Sequence, residues 1–349
     1  MKKKLDTISL YVFSETFISA IASQLRVLTF PLYALVLGYS PYTISLLFVI
    51  YYITHLIFSY PFGLLSQKIG ASKVSLISTF TDAVSIFLVA LHTLPSFITS
   101  FILLGIASAT SSQTKSLISY NFKDRLKSVY SRMIALFLAG NLLAEILTAI
   151  FGQLDLFAVI YFSIGAVYIL FSIISLFLIR RFKDVNVKPK IKYIPSGKLL
   201  FISILYFIAT FSGAIVATFI QIWFSKENLS VFDVSVIYMV TSIIGIVSSF
   251  LTDKISENTL LKFSVYISLS ALEEVLTFLI YFPPPISVIS FVAISLIEPV
   301  LVTADNIIIS NILDALNEIE NGFALLSTFR MLGEIFGTLG EGLLFTLGD

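Results

Sequence analysis

The chain has 349 residues, of which 57% are hydrophobic and 12% charged, where a soluble domain carries about 25% charged residues. A net charge of +1 and the lack of cysteine exclude a global field for nucleic acid, disulfides, thiolate metal sites and cysteine nucleophiles. So few charges cannot cover the surface of a soluble chain of this length, which leaves an integral membrane protein.

The N-terminal Met1-Lys-Lys-Lys-Leu-Asp6 resembles the start of a signal peptide, and Ala20-Ile-Ala22 has the form of a cleavage site. Glu15 interrupts the apolar stretch and ten further apolar segments follow, so the region reads as a first membrane span. A span needs about 20 apolar residues to cross roughly 30 Å of hydrocarbon. Charge-free runs, divided at turn signals such as Gly38-Tyr-Ser-Pro41, His92-Thr-Leu-Pro95, Gly152-Gln-Leu-Asp155 and Pro283-Pro-Pro285, predict eleven helices. They cover 8–37, 41–65, 73–93, 95–119, 129–152, 156–179, 199–224, 230–252, 259–281, 286–312 and 322–347. The alternating ten-residue segments of a membrane β-barrel are not the pattern here. The expected fold is an all-α membrane bundle.

Orientation follows the basic residues. With the N-terminus in the cytoplasm, eighteen of the 22 Lys and Arg residues fall on the cytoplasmic side, which predicts that topology in a plasma membrane. The longest polar stretch, 180–198, holds seven bases and one acid. It is expected to be a cytoplasmic linker (181–198) between a six-helix half (1–180) and a five-helix half (199–349), with anionic-lipid binding as the other reading.

A repeat relates the halves. The end of span 2, Gly63-Leu-Leu-Ser-Gln-Lys-Ile-Gly70, has a weaker echo at the end of span 8, Ser249-Phe-Leu-Thr-Asp-Lys-Ile-Ser256. Spans 5 and 11 open with Ser131-Arg-Met133 and Phe329-Arg-Met331. Gly63-x-Leu65-x-x-Lys68-x-Gly70 resembles the loop signature of the major facilitator superfamily, whose usual form is G-x-L-x-D-R/K-x-G-R-K. The likeness extends to Phe30-Pro-Leu-Tyr33, Leu37-Gly-Tyr-Ser40, the basic linker and the second copy at Asp253 and Lys254. It implies two pseudo-symmetric halves, a cavity lined by spans 1, 4, 7 and 10, and a loop that steadies the contact between halves.

This chain departs from the pattern. Gln67 stands where the family has aspartate, Ala71 and Ser72 replace bases, and Phe101 is near the place of the span 4 arginine common in proton-coupled members. Only 19 residues follow Arg330, against 47 from Arg132 to the end of span 6. The expectation is that helix 12 is missing, through truncation or in an eleven-span variant. An acidic loop with Asp314, Glu318 and Glu320, set opposite Lys68 and Lys73, is a possible substitute for the weakened loop contact.

Beyond the terminal turns of the spans lie nine acids (Glu15, Asp82, Glu145, Glu273, Glu274, Glu298, Asp305, Glu334 and Glu341) and three bases (Arg26, Lys115 and Arg330). Each would cost about 2.5–3.5 kcal/mol facing lipid at the bilayer centre, so they must face a polar path, pair, or be neutral. Glu15, Arg26, Lys115, Glu145, Glu298 and Asp305 are the pathway candidates. Glu15 and Arg26 share a face of span 1 but are about 16 Å apart, too far to pair. Each is therefore either a pathway group or half of an inter-helix pair. Lys115 has a snorkelling alternative, Arg330 and Glu334 an intrahelical one. Asp82 and Glu273-Glu274 read as inter-helix groups, Gly333 and Gly337 as packing positions, and Trp223 as an interface anchor. His55 and His92 are too few for a histidine-based metal site.

The expected function is secondary transport of a small solute by alternating access, coupled to protons, with drug or metabolite export favoured because the candidates are acidic. No P-loop pattern is present, so ATP drive is unsupported. No cofactor, metal or nucleic acid is expected, the protein is read as a monomer in the bilayer, and no catalytic cluster points to an enzyme. The alternatives are a receptor-like or inactive truncated paralogue and an importer of sugars or other organic solutes.

Overall fold

A computed structural model describes residues 2–122, 125–154, 156–179, 195–217, 220–316 and 319–347. Every regular element among them is helical. Span 1 is α1 (Lys2–Gln24), a π-helical turn (Leu25–Thr29) and α2 (Phe30–Val36). Spans 2 to 6 are α3 (Pro41–Ile69), α4 (Ala71–Val89), α5 (Leu94–Asn121), α6 (Leu126–Gly152) and α7 (Phe157–Ile179). Span 7 comprises α8 (Gly197–Ala217) and α9 (Ile220–Lys226), and span 8 is α10 (Val231–Lys254). A single turn, α11 (Glu257–Leu260), precedes span 9, α12 (Phe263–Leu279); spans 10 and 11 are α13 (Ile286–Ala315) and α14 (Ile319–Leu347). Eight of these segments are long and apolar enough to cross a membrane.

Local chemistry sets the ends. Ser40 accepts a hydrogen bond from the Thr43 amide at 3.2 Å, and Pro41 opens α3, because a hydroxyl satisfies an amide the helix cannot and proline has none to satisfy. Thr93 with Ser96, and Ser230 with Asp233, close reciprocal caps on α5 and α10. Asp233, inside the predicted span 8, is thereby in the first helical turn with a capping role. Gly70 joins α3 directly to α4 at φ +101, a conformation that suits glycine and fits its place in the loop motif.

Small residues let the helices approach. A Cβ on Gly140 of α6 would lie 2.5 Å from the Phe17 carbonyl of α1, and one on Gly333 of α14 would lie 2.6 Å from the Phe207 carbonyl of α8. Gly333 is therefore a packing position, as expected. The Arg-Met repeat is out of register, however. Arg132 lies in the second turn of α6 and Arg330 in the fourth turn of α14.

Helices α1–α7 meet α8–α14 along two long seams, α6 on α10 and α3 on α14. At one end of the bundle Leu28 and Leu32 pack with Ile220, Phe224 and Val234. At the other, which holds the N-terminus, Lys127 donates to the Ile255 carbonyl at 2.6 Å and the Ser119 and Ser310 hydroxyls are 3.2 Å apart. The outer helices turn apolar side chains outward. Phe162, Leu170 and Phe177 of α7 are exposed, as are Phe263, Val275 and Phe278 of α12, which has no buried residue. Such a surface is suited to lipid rather than water. Trp223 of α9 packs on Tyr281 in the turn after α12, ring centroids 5.7 Å apart.

Candidate functional site

Between the seams lies a cavity of about 280 Å³. Its walls follow helical periodicity, with side chains three, four and seven apart sharing a face. Val302, Asp305, Asn306 and Ile309 form the α13 wall, and Phe323, Leu326, Ser327, Arg330 and Met331 the α14 wall. Tyr51 and His55 enter from α3, Ser108 and Lys115 from α5, and Tyr206 from α8. Spans 2, 4, 7, 10 and 11 therefore line it. The expected set was 1, 4, 7 and 10, and span 1 contributes none of these side chains. It is displaced because α1 packs against α6, while α3 and α14 close together beside the cavity.

Two of the six pathway candidates, Lys115 and Asp305, meet in this cavity. The Asp305 Oδ1 accepts a hydrogen bond from the Tyr266 hydroxyl of α12 at 2.5 Å. Lys115 makes no ion pair or hydrogen bond among the described residues. Glu298 lies one turn before Val302 on the same face of α13 and is exposed, outside the lining set. Arg330 also enters the cavity. Its side chain is 54% exposed, with Nε 3.7 Å from the Glu334 carboxylate, a loose version of the intrahelical pair.

The other candidates sit elsewhere. Arg26, in the π-helical turn, forms a buried ion pair with Asp82 of α4, whose other oxygen accepts from Tyr168 of α7 at 3.1 Å. The inter-helix reading of Asp82 fits this geometry, and Arg26 is its partner. The π turn itself is supported by Tyr161, which donates to the Leu25 carbonyl at 2.7 Å. Glu15 is buried on α1 away from the cavity. Glu145 is buried in the α6–α10 seam. Its Oε1 accepts from Gln24 at 2.7 Å and Ser242 at 2.9 Å, and its Oε2 has no partner among the described residues.

His55 is the residue that the search for ligands and charges missed. Its Nδ1 lies 2.8 Å from the Ser108 hydroxyl and its Nε2 2.8 Å from that of Ser327, so it ties α3 to α5 and α14. A neutral imidazole, donor at one nitrogen and acceptor at the other, matches two hydroxyls. Tyr51, 3.0 Å from the same Ser108 oxygen, extends the network. The available signal was the Tyr51/His55 pair at i, i+4 on an otherwise apolar helix. Tyr206 was missed as well, as one of 16 tyrosines with nothing in its spacing to mark it.

The loop motif lies at the N-terminal end of the bundle. Gly63 faces Ala324 across the α3–α14 seam, where an added Cβ would be 3.3 Å from the alanine Cβ. Lys68 and Lys73 are exposed, as is Lys254, with Asp253 beside it half-buried. The side chains of Gln67 and Glu320, residue Glu318 and most of the linker, 180–194, lie outside the described residues.

Among the described residues the cavity's lining charges are thus two bases, Lys115 and Arg330, and one acid, Asp305, the reverse of the acidic excess among all embedded charges. The sequence matches the family model of the Major Facilitator Superfamily over residues 12–338. Among solved structures, the human organic anion transporter MFSD10 (TETRAN) is similar over 97% of this chain and 92% of its own, at 13% identity and a TM-score of 0.69. A mutant of the nucleoside transporter NupG is similar over 97% of this chain and 90% of its own, at 15% identity and a TM-score of 0.64. No curated protein matches in sequence.

Proposed function

The chain belongs to the Major Facilitator Superfamily, and on that premise we propose that it is a secondary transporter carrying a small solute through the cavity between α3, α5, α8, α13 and α14. The observation that carries this reading is the placement of Lys115, Asp305 and Arg330 together in a cavity whose walls come from both groups of helices. A site built from two bodies changes its access when they rock against each other, and a solute that binds one arrangement better shifts the balance. The proposed bodies are 1–180 and 199–349, joined by the basic linker, in a monomer with its N-terminus in the cytoplasm of a cell bounded by the plasma membrane. The distribution of lysine and arginine supports that orientation.

The energy source in this proposal is a proton gradient. Glu145 supports it: a buried carboxyl group with only neutral partners, in a seam that must part when the bodies rock. Water reaching an opened seam would let that group exchange its proton, which a group fixed in a permanent ion pair cannot readily do. Export remains the proposed direction, although the charges lining the cavity no longer argue for it.

Reconstituted protein tested with a solute panel under an imposed pH gradient decides the matter. Gradient-driven accumulation of a solute, abolished in Asp305→Asn and uncoupled in Glu145→Gln, is the expected result. Solute flux indifferent to the gradient would replace coupling with uniport. No flux of any solute by folded wild-type protein would overturn the transport reading.

A further inference from the structure

Resting on the transport reading for its context but on the cavity's own charges for its content, we infer that the cavity selects a small organic anion, held between Lys115 and Arg330. An ammonium group carries three donors, and that of Lys115 meets no acceptor among the described residues although it faces the cavity. Arg330 presents a guanidinium whose contact with Glu334 is through Nε alone, at 3.7 Å, and its terminal nitrogens have no partner among the described residues. A planar fork beside a point charge is the pairing that holds a carboxylate, sulfonate or phosphate group.

The remaining lining argues against the other charge classes. Among the described lining residues a cation would meet two bases and one acid, Asp305, whose Oδ1 accepts from Tyr266 at 2.5 Å. A neutral solute would bring no counter-charge to the two bases. Ser108 and Ser327 are engaged by His55. Val302, Ile309 and Met331 add apolar surface to the lining, so the anion is organic, with a carbon body beside its acidic group. A membrane lipid headgroup offers similar acidic chemistry; we assign the site to a soluble solute because the cavity lies between the helices and its volume, about 280 Å³, is that of a small molecule.

Purified full-length protein in phosphatidylcholine nanodiscs, titrated with benzenesulfonate, benzenesulfonamide and benzyltrimethylammonium, tests this with probes of one ring and three charges. Benzenesulfonate is expected to bind at least about tenfold more tightly than either of the others. Lys115→Gln and Arg330→Gln are each expected to weaken it about tenfold or more, and Lys115→Arg to retain it. Monodispersity confirms that each variant folds, and Lys115 makes no hydrogen bond or ion pair among the described residues whose loss would endanger folding. Tightest binding of the cation, no charge preference, no benzenesulfonate binding at millimolar concentration, or anion binding unchanged in both glutamine variants would overturn the inference. Stabilisation by phosphatidylglycerol that depends on Lys115, without benzenesulfonate binding, would assign the bases to a lipid headgroup and also overturn it. Anion binding without solute flux would remove the transport reading and leave the anion site; flux without anion preference would do the reverse.

Discussion

Two embedded arginines meet opposite fates. Arg26 is buried among α4 and α7, paired with Asp82, which Tyr168 also holds. Arg330 is 54% exposed inside the bundle, with one loose contact at 3.7 Å, beside a lysine with no partner among the described residues. Both must escape lipid, but the first does so by neutralisation within the protein and the second by facing a cavity. The difference separates a charge that fixes helices from one whose partner has yet to arrive, and this separation is visible only in three dimensions.

The contrast can be broken at its stronger pole first. Asp82→Asn leaves Arg26 buried without its counter-charge and is expected to cost about 3–5 kcal/mol, read as a fall in the thermal unfolding temperature in detergent. The double variant Arg26→Leu with Asp82→Leu should recover most of that loss; equal damage in both would show that the pair is not the source. At the junction, His55→Ala removes the imidazole that joins the Ser108 and Ser327 hydroxyls and should cost about 1–3 kcal/mol, measured the same way. A comparable loss is expected for Gly333→Ala, whose new Cβ would collide with α8 backbone, whereas Gly213→Ala meets open space and serves as its control. At the weaker pole, Lys115→Gln should change stability by less than about 0.5 kcal/mol. A large stability loss there would place Lys115 with Arg26 among the fixed charges.

Much of the fold was legible in the sequence because crossing a bilayer imposes long apolar runs, and turn residues divide them. Every one of the eleven segments has its helix, and the caps at Ser40 and Thr93 fall on the turn signals. The interior was less legible. That Arg26 needed a partner followed from the cost of burying charge, but choosing Asp82 among nine acids requires knowing which helices touch. The cavity wall differed for the same reason: Glu15 and Arg26 share a face of span 1, yet that span packs on α6 and pairs Arg26 with Asp82 of α4. His55 escaped notice because one histidine without a second ligand suggested no chemistry, whereas its use is to match two hydroxyls from other helices.

The π-helical turn at Leu25–Thr29 gives the length of span 1 a significance that its hydrophobicity conceals. A wider turn accommodates one extra residue, so the chain beyond it is rotated by about 100° relative to an uninterrupted α-helix. That rotation acts as an angular adapter: α1 is set for α6, while Leu28 and Leu32 are set for Ile220 and Phe224 on the far group of helices. Removing one residue here would keep the segment apolar and long enough to span, yet would turn its outer third toward the wrong neighbours. Hydropathy could not detect such a deletion, because what it alters is azimuth.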